Sequence, residues 1–128
     1  MIKKGIHTKN APAAIGPYQQ GIRLGDWVFT SGQIALDPAT GNFRAGEIEQ
    51  ETELTLKNVE AILQAENLTL DHVVKATVYL ADMNDFARMN QVYEKFFALS
   101  KPARACVQVA ALPKGAKVEI DVIAAAHG

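Results

Sequence analysis

The sequence predicts an α+β domain in the order β-β-α-β-α-β-β, a mixed sheet with two helices packed on one face. Apolar residues recur at helical spacing in two segments, and strand-like runs flank both of them. Gly, Pro, Asn and Asp separate the segments, so the elements are cut cleanly.

Residues 1–17 read as irregular, broken by Asn10-Ala11-Pro12 and Gly16-Pro17. Two short strand-like runs follow, Tyr18–Leu24 and Trp27–Gln33, joined by Gly25-Asp26. A two-residue Gly-Asp connection signals a hairpin, because Gly supplies the positive φ of a type II′ turn. Asp37-Pro38-Ala39-Thr40-Gly41 is a loop by its turn chemistry.

The period becomes helical from Glu47 to about Glu66. Ile48, Thr52, Thr55, Leu56, Val59, Ile62 and Leu63 form one stripe, while Glu49, Glu53, Lys57, Glu60 and Gln64 lie off it. Asn67 tolerates a left-handed backbone and marks the stop. Val74–Ala81 alternates as a strand. Asp82-Met83-Asn84-Asp85 offers caps for a second helix with Phe86, Met89, Tyr93, Phe96 and Phe97 inward, ended by Lys101-Pro102. Arg104–Ala111 and Lys117–Ala125 close the domain around a Pro113-Lys114-Gly115 turn.

Two helices cover one face of a four- or five-stranded sheet. Alternation assigns Val74, Ala76, Val78, Leu80, Ala105, Val107, Val109, Val118, Ile120 and Val122 to that face. The other face is mixed: Tyr79, Cys106, Gln108, Ile123 and Ala125 beside Arg104, Lys117, Glu119 and Asp121. Such a face fits a partner subunit or a solvated antiparallel surface equally well.

At 128 residues and 13.9 kDa the chain, residues 1–128, has room for a single domain and core. Thirteen Lys and Arg against fourteen Asp and Glu give a net charge of −1, which provides no positive field for nucleic acid. One cysteine cannot form an internal disulfide, so nothing points to an oxidising compartment. Met1-Ile2-Lys3-Lys4-Gly5 has no apolar run behind it, and the longest apolar stretch, Val122 to Ala126, is far short of a membrane span. A cytoplasmic protein is the expectation.

His7, His72 and His127 are scattered singly, so no metal site is expected. Gly16-Pro17-Tyr18-Gln19-Gln20-Gly21 lacks the spacing and the Lys-Ser/Thr of a phosphate loop. Ser31, in Phe29-Thr30-Ser31-Gly32-Gln33, is not on a nucleophile elbow. Any catalysis would proceed without metal, nucleotide or triad.

Pro102-Ala103-Arg104-Ala105-Cys106-Val107-Gln108-Val109 is the most informative segment. Alternation puts Arg104, Cys106 and Gln108 on one face, and Glu119, between Val118 and Ile120, on that same face. Taken alone, an Arg at a strand start reads as a surface or interface residue, and a lone Cys among valines as a small hydrophobe. Together, Arg, Cys and Glu on one face are suited to holding a small carboxylate and positioning a water.

Four blocks carry a resemblance: Ala11-Pro12-Ala13-Ala14-Ile15-Gly16-Pro17-Tyr18, Thr30-Ser31-Gly32-Gln33-Ile34, Pro102-Ala103-Arg104-Ala105-Cys106-Val107, and Leu112-Pro113-Lys114 with Val118-Glu119-Ile120. In that order and spacing, from about Asn10 to Ala125, the chain resembles the reactive intermediate deaminase A family, also called the YjgF family. The resemblance implies a chorismate-mutase-like fold and a homotrimer with ligand pockets between subunits. It implies hydrolysis of imines and enamines such as 2-iminobutanoate, 2-iminopropanoate and 2-aminoacrylate to 2-oxo acids and ammonia, with no cofactor. By position, Arg104 would bind the substrate carboxylate and Glu119 would orient or activate the water. Gly32 and Cys106 would line the site, with Ser31 near, and Tyr18 and Asn90 would be pocket residues. Two other readings stay open: a regulatory trimer that binds a small carboxylate without turnover, and the endoribonuclease, translation-inhibitor or chaperone roles described in the family.

Overall fold

The computed structural model describes residues 2–126, so His127 lies outside the described residues. In chain order the elements are β1 (Lys3–Ile6), β2 (Gly21–Leu24), β3 (Trp27–Thr30), α1 (Ile48–Gln64), β4 (Val73–Leu80), α2 (Phe86–Phe97), β5 (Ala103–Gln108) and β6 (Val118–Ala125). Across the single sheet the order is β1-β2-β3-β6-β4-β5. β4 and β5 are parallel and the other neighbours antiparallel, so the sheet is mixed, as expected.

The sheet has six strands where four or five were expected, because β1 falls in a segment that read as irregular. Lys3, Lys4 and Gly5 are exposed and only Ile6 is buried, so β1 has no apolar alternation to reveal it. It is held by backbone pairing to β2 at the sheet edge. The first hairpin turns as its sequence predicts: Leu24 pairs with Trp27, and Gly25 sits at φ 60° with no positive φ at Asp26. Tyr18–Gln20 stay outside β2, since Gln20 turns inward. Its buried amide accepts from Thr8 N (2.7 Å) and donates to the carbonyls of Thr8, Ala11 and Pro12.

All seven stripe residues of α1 are buried, each aliphatic one worth about 1.5–3 kcal/mol of apolar burial. Glu47 and Gln50 close a capping box at its start. At its end Asn67 takes φ 60°, with Leu68 N donating to Leu63 O (3.0 Å) and Asn67 N to Gln64 O (3.0 Å). That paired bonding is a Schellman motif. Two polar residues join the stripe in the core. Glu51 accepts from Lys117 N (2.9 Å), and Asn58 donates to Ile34 O (3.2 Å) and Leu36 O (2.9 Å).

Two face assignments differ from the alternation reading. A bulge between Val73 and Lys75 turns Val73 into the core and leaves Val74 exposed. The larger correction concerns β5. Ala76 pairs with Arg104, Val78 with Cys106 and Leu80 with Gln108, and Ala76, Val78 and Leu80 are all buried under the helices. Paired residues share a face, so Arg104, Cys106 and Gln108 point to the helix side. Ala105 and Val107 point to the open face, where Val107 is exposed. The apolar residues of the edge strand face the side of the sheet that no element among the described residues covers.

The open face carries Trp27 and Phe29 of β3, both more than one-third exposed, with Ile123, Val107, Tyr79, Glu119 and Asp121 around them. Among the described residues no helix is long and apolar enough to cross a membrane.

Candidate functional site

The residues expected to form one site fall into two groups. The first stands at the β5 edge of the sheet, on the helix side. Arg104 emerges there beside α2, and its Nη1 donates to Asn90 Oδ1 at 2.6 Å. The guanidinium lies over two α2 rings, 4.7 Å from the Tyr93 centroid and 5.4 Å from that of Phe86. Asn90, Tyr93, Lys101 and Arg104 line a cavity of about 710 Å³. Phe86, Asn90 and Tyr93 recur at four- and three-residue steps, so one helix stripe presents all three to the strand.

Cys106, two residues along β5, is half-buried and packs against the core. Burial pushes its thiol pKa up, and the Arg104 charge opposes this more weakly. A protonated thiol is a poor nucleophile.

The second group is on the open side. Tyr18, Gly32 and Glu119 line a cavity of about 520 Å³ with Lys114, walled by the loops before β2 and after β3. Gln33 bridges to Ile120 by paired backbone bonds of 2.9 and 3.0 Å, which carries Gly32 onto the Glu119 side chain. A Cβ at Gly32 would lie 2.0 Å from Glu119 Oε2, so glycine is what allows the carboxylate to rest there. Tyr18 is exposed at the rim, next to the still more exposed Ile15.

Glu119 is held above the usual carboxylate range, first by burial and then by the neighbouring Asp121 charge. Asp121 is also raised by burial, against a hydrogen bond from Tyr79 Oη to its Oδ2 at 3.0 Å. Tyr79 pairs directly with Glu119 across β4 and β6. Neither Tyr79 nor Asp121 was a candidate from sequence: alternation already sets Asp121 beside Glu119 on one face of β6, but Tyr79 reaches the two carboxylates only through the β4–β6 register. Ser31 is not in this cavity: it lines a neighbouring cleft beside Tyr18, and its hydroxyl donates to Gln19 O at 2.5 Å.

The expected convergence of Arg104, Cys106 and Glu119 on one face is therefore corrected. Arg104 pairs with Ala76, whose side chain is under the helices, while Glu119 pairs with Tyr79 on the open face. The structure therefore holds two separate groups: a cation with an amide on one side of the sheet, and an acid in a cavity on the other.

The sequence profile described as Endoribonuclease L-PSP matches residues 8–126. The chain belongs to that family. Its relatives include the mouse 2-iminobutanoate/2-iminopropanoate deaminase, 48% identical over 97% of this chain and 92% of that protein. The crystal structure of the YjgF gene product of Escherichia coli matches with a TM-score of 0.91 at 48% identity, over 95% of this chain and 98% of that one. The crystal structure of Escherichia coli TdcF with bound serine matches with a TM-score of 0.90 at 49% identity, with the same coverage. Membership in the reactive intermediate deaminase (YjgF) family and its α+β fold agree with the resemblance of the four sequence blocks.

Proposed function

We propose that this chain hydrolyses the imine and enamine forms of small 2-amino acids, such as 2-iminobutanoate and 2-iminopropanoate, to 2-oxo acids and ammonia. The site is completed between copies of the chain in a homotrimer, with Arg104, Asn90 and Cys106 of one copy facing Tyr18, Gly32 and Glu119 of the next. The observation that carries this reading is the placement of the Arg104–Asn90 pair and the Glu119 cavity on opposite faces of one sheet. The exposed apolar residues around the Glu119 cavity, Ile15 and Tyr18, and the half-apolar open sheet face favour a covering subunit. The activity named for the mouse relative and the serine bound in TdcF favour a small amino-acid-derived ligand.

The chemistry follows from the two halves. The guanidinium grips a planar carboxylate through parallel hydrogen bonds, which fixes the adjacent imine carbon. Glu119, as carboxylate, takes a proton from water as the water oxygen forms its bond to that carbon. The proton passes to nitrogen, the carbon–nitrogen bond breaks, and the hydroxyl proton of the carbinolamine leaves with the nitrogen as the carbonyl forms. A raised Glu119 pKa suits a group that must both accept and return a proton. The substrate is already electrophilic, so positioning supplies most of the acceleration.

The test is a coupled assay in which a threonine or serine dehydratase generates the imine in situ and its loss is followed. Faster decay with ammonia release supports the reading. Binding of 2-oxobutanoate without faster decay would make the protein a carboxylate-binding regulator, and RNA cleavage by the purified chain would favour the family's other name.

A further inference from the structure

We infer that Phe86 and Tyr93 are positioning residues for Arg104, which hold its guanidinium ready at the sheet edge before a carboxylate arrives. This rests on the reading of Arg104 as the carboxylate-binding group. An arginine on an edge strand has many rotamers open to it, and ordering them on binding weakens affinity. Here the side chain is already engaged on three sides. The Tyr93 ring lies 4.7 Å away, the Phe86 ring 5.4 Å away, and the Asn90 oxygen accepts at 2.6 Å.

The platform is itself firm. Tyr93 is 6% exposed and packs against Phe97 with centroids 4.5 Å apart, and Phe86 packs against the core cluster. The Tyr93 hydroxyl is buried and has no hydrogen-bond partner among the described residues. What Arg104 uses is therefore the ring face, not the hydroxyl. A cation over an aromatic face is attracted by the ring's quadrupole, and two faces fix direction as well as distance. The stripe Phe86-Asn90-Tyr93 sets which way Arg104 points, and with it the geometry of the carboxylate it grips.

The experiment follows the Arg104 guanidinium by nitrogen-15 NMR in the wild type, Phe86→Leu, Tyr93→Leu and Tyr93→Phe, alongside titration with 2-oxobutanoate. In the wild type and Tyr93→Phe the Arg104 side-chain signal should be that of an ordered group. In the leucine variants it should become motionally averaged, with the dissociation constant of 2-oxobutanoate up about tenfold. In turnover the same variants should raise KM by a similar factor and leave kcat within about twofold. Equal mobility of Arg104 in the wild type and in Phe86→Leu would overturn the inference. So would a folded leucine variant that binds 2-oxobutanoate as the wild type does. If Tyr93→Leu does not fold, Phe86→Leu decides the matter. An ordered Arg104 in a protein that hydrolyses no imine leaves the positioning intact and removes the proposed function. Imine hydrolysis with a mobile Arg104 does the reverse.

Discussion

Arg104 and Glu119 project from opposite faces of the sheet, with β4 between their strands: Arg104 shares its face with buried Ala76, and Glu119 shares its own with Tyr79. A ligand of a few carbon atoms cannot reach both within one chain. Two inactive variants should therefore rescue one another. In the proposed trimer, Arg104→Ala and Glu119→Gln mixed at random by co-refolding should regain about a quarter of the wild-type activity, because that share of interfaces would receive both an intact Arg104 and an intact Glu119. Activity that stays at the level of the separate variants would place the site within one chain.

Gly32→Ala should separate activity from stability. The added methyl would meet Glu119 Oε2 at 2.0 Å, yet the carboxylate is the end of a flexible side chain and can swing away. Folding should hold, with a change in Tm of no more than about 3 °C for a loss near 0.5 kcal/mol. Displacing Glu119, the proposed general base, should lower kcat/KM on the order of a hundredfold. An active Gly32→Ala protein would show that Glu119 works from another position.

The pH profile should respond to Asp121. Burial first, and then the Asp121 charge, hold Glu119 above the usual carboxylate range, so the acid limb of kcat/KM should lie above that range. Asp121→Asn removes the charge but keeps an acceptor for Tyr79, so the acid limb should move to lower pH. Stability carries the opposite sign. A carboxyl raised in the folded state contributes stability that is present below its unfolded pKa and is lost as pH rises through the folded one. Asp121→Asn should therefore raise Tm at neutral pH and lose that advantage in acid, as read by thermal melts across the same range.

Arg104→Ala should abolish measurable activity, and Cys106→Ser should retain most of it. Removing one partner of a hydrogen-bonded charge pair costs about 2–5 kcal/mol, or roughly thirty- to several-thousand-fold in kcat/KM. Cys106 is kept protonated by its burial, which outweighs the pull of Arg104, so no thiolate awaits a substrate. A dead serine variant beside an active alanine variant would require a covalent mechanism.

The elements whose signals are local were legible in the sequence. Gly25 for the hairpin, Asn67 for the helix stop and the Ile48–Leu63 stripe each act through their own backbone or their own helix face. Strand parity was legible only where a layer of this chain covers the strand. Hydrophobicity says that Val107 seeks burial but not which side supplies it, and a one-residue change of parity exchanges Arg104 with Ala105. The separation of Arg104 from Glu119 follows from that one exchange. The Tyr79–Asp121 pair beside Glu119 was hidden for a related reason: the residues are 42 apart in sequence and meet only through the β4–β6 register.

The position of β6 has a consequence for how the protein is made. β3 and β4 are joined only through β6, and every strand that β6 pairs with precedes it in the chain. While the ribosome still covers residues 118–125, the nascent chain has two unconnected pieces, the β1–β3 meander and the β4-α2-β5 unit. The apolar stripe of α1 then has no finished sheet to pack on. The sheet can be completed, and the α1 stripe covered, only once residues 118–125 are free to pair.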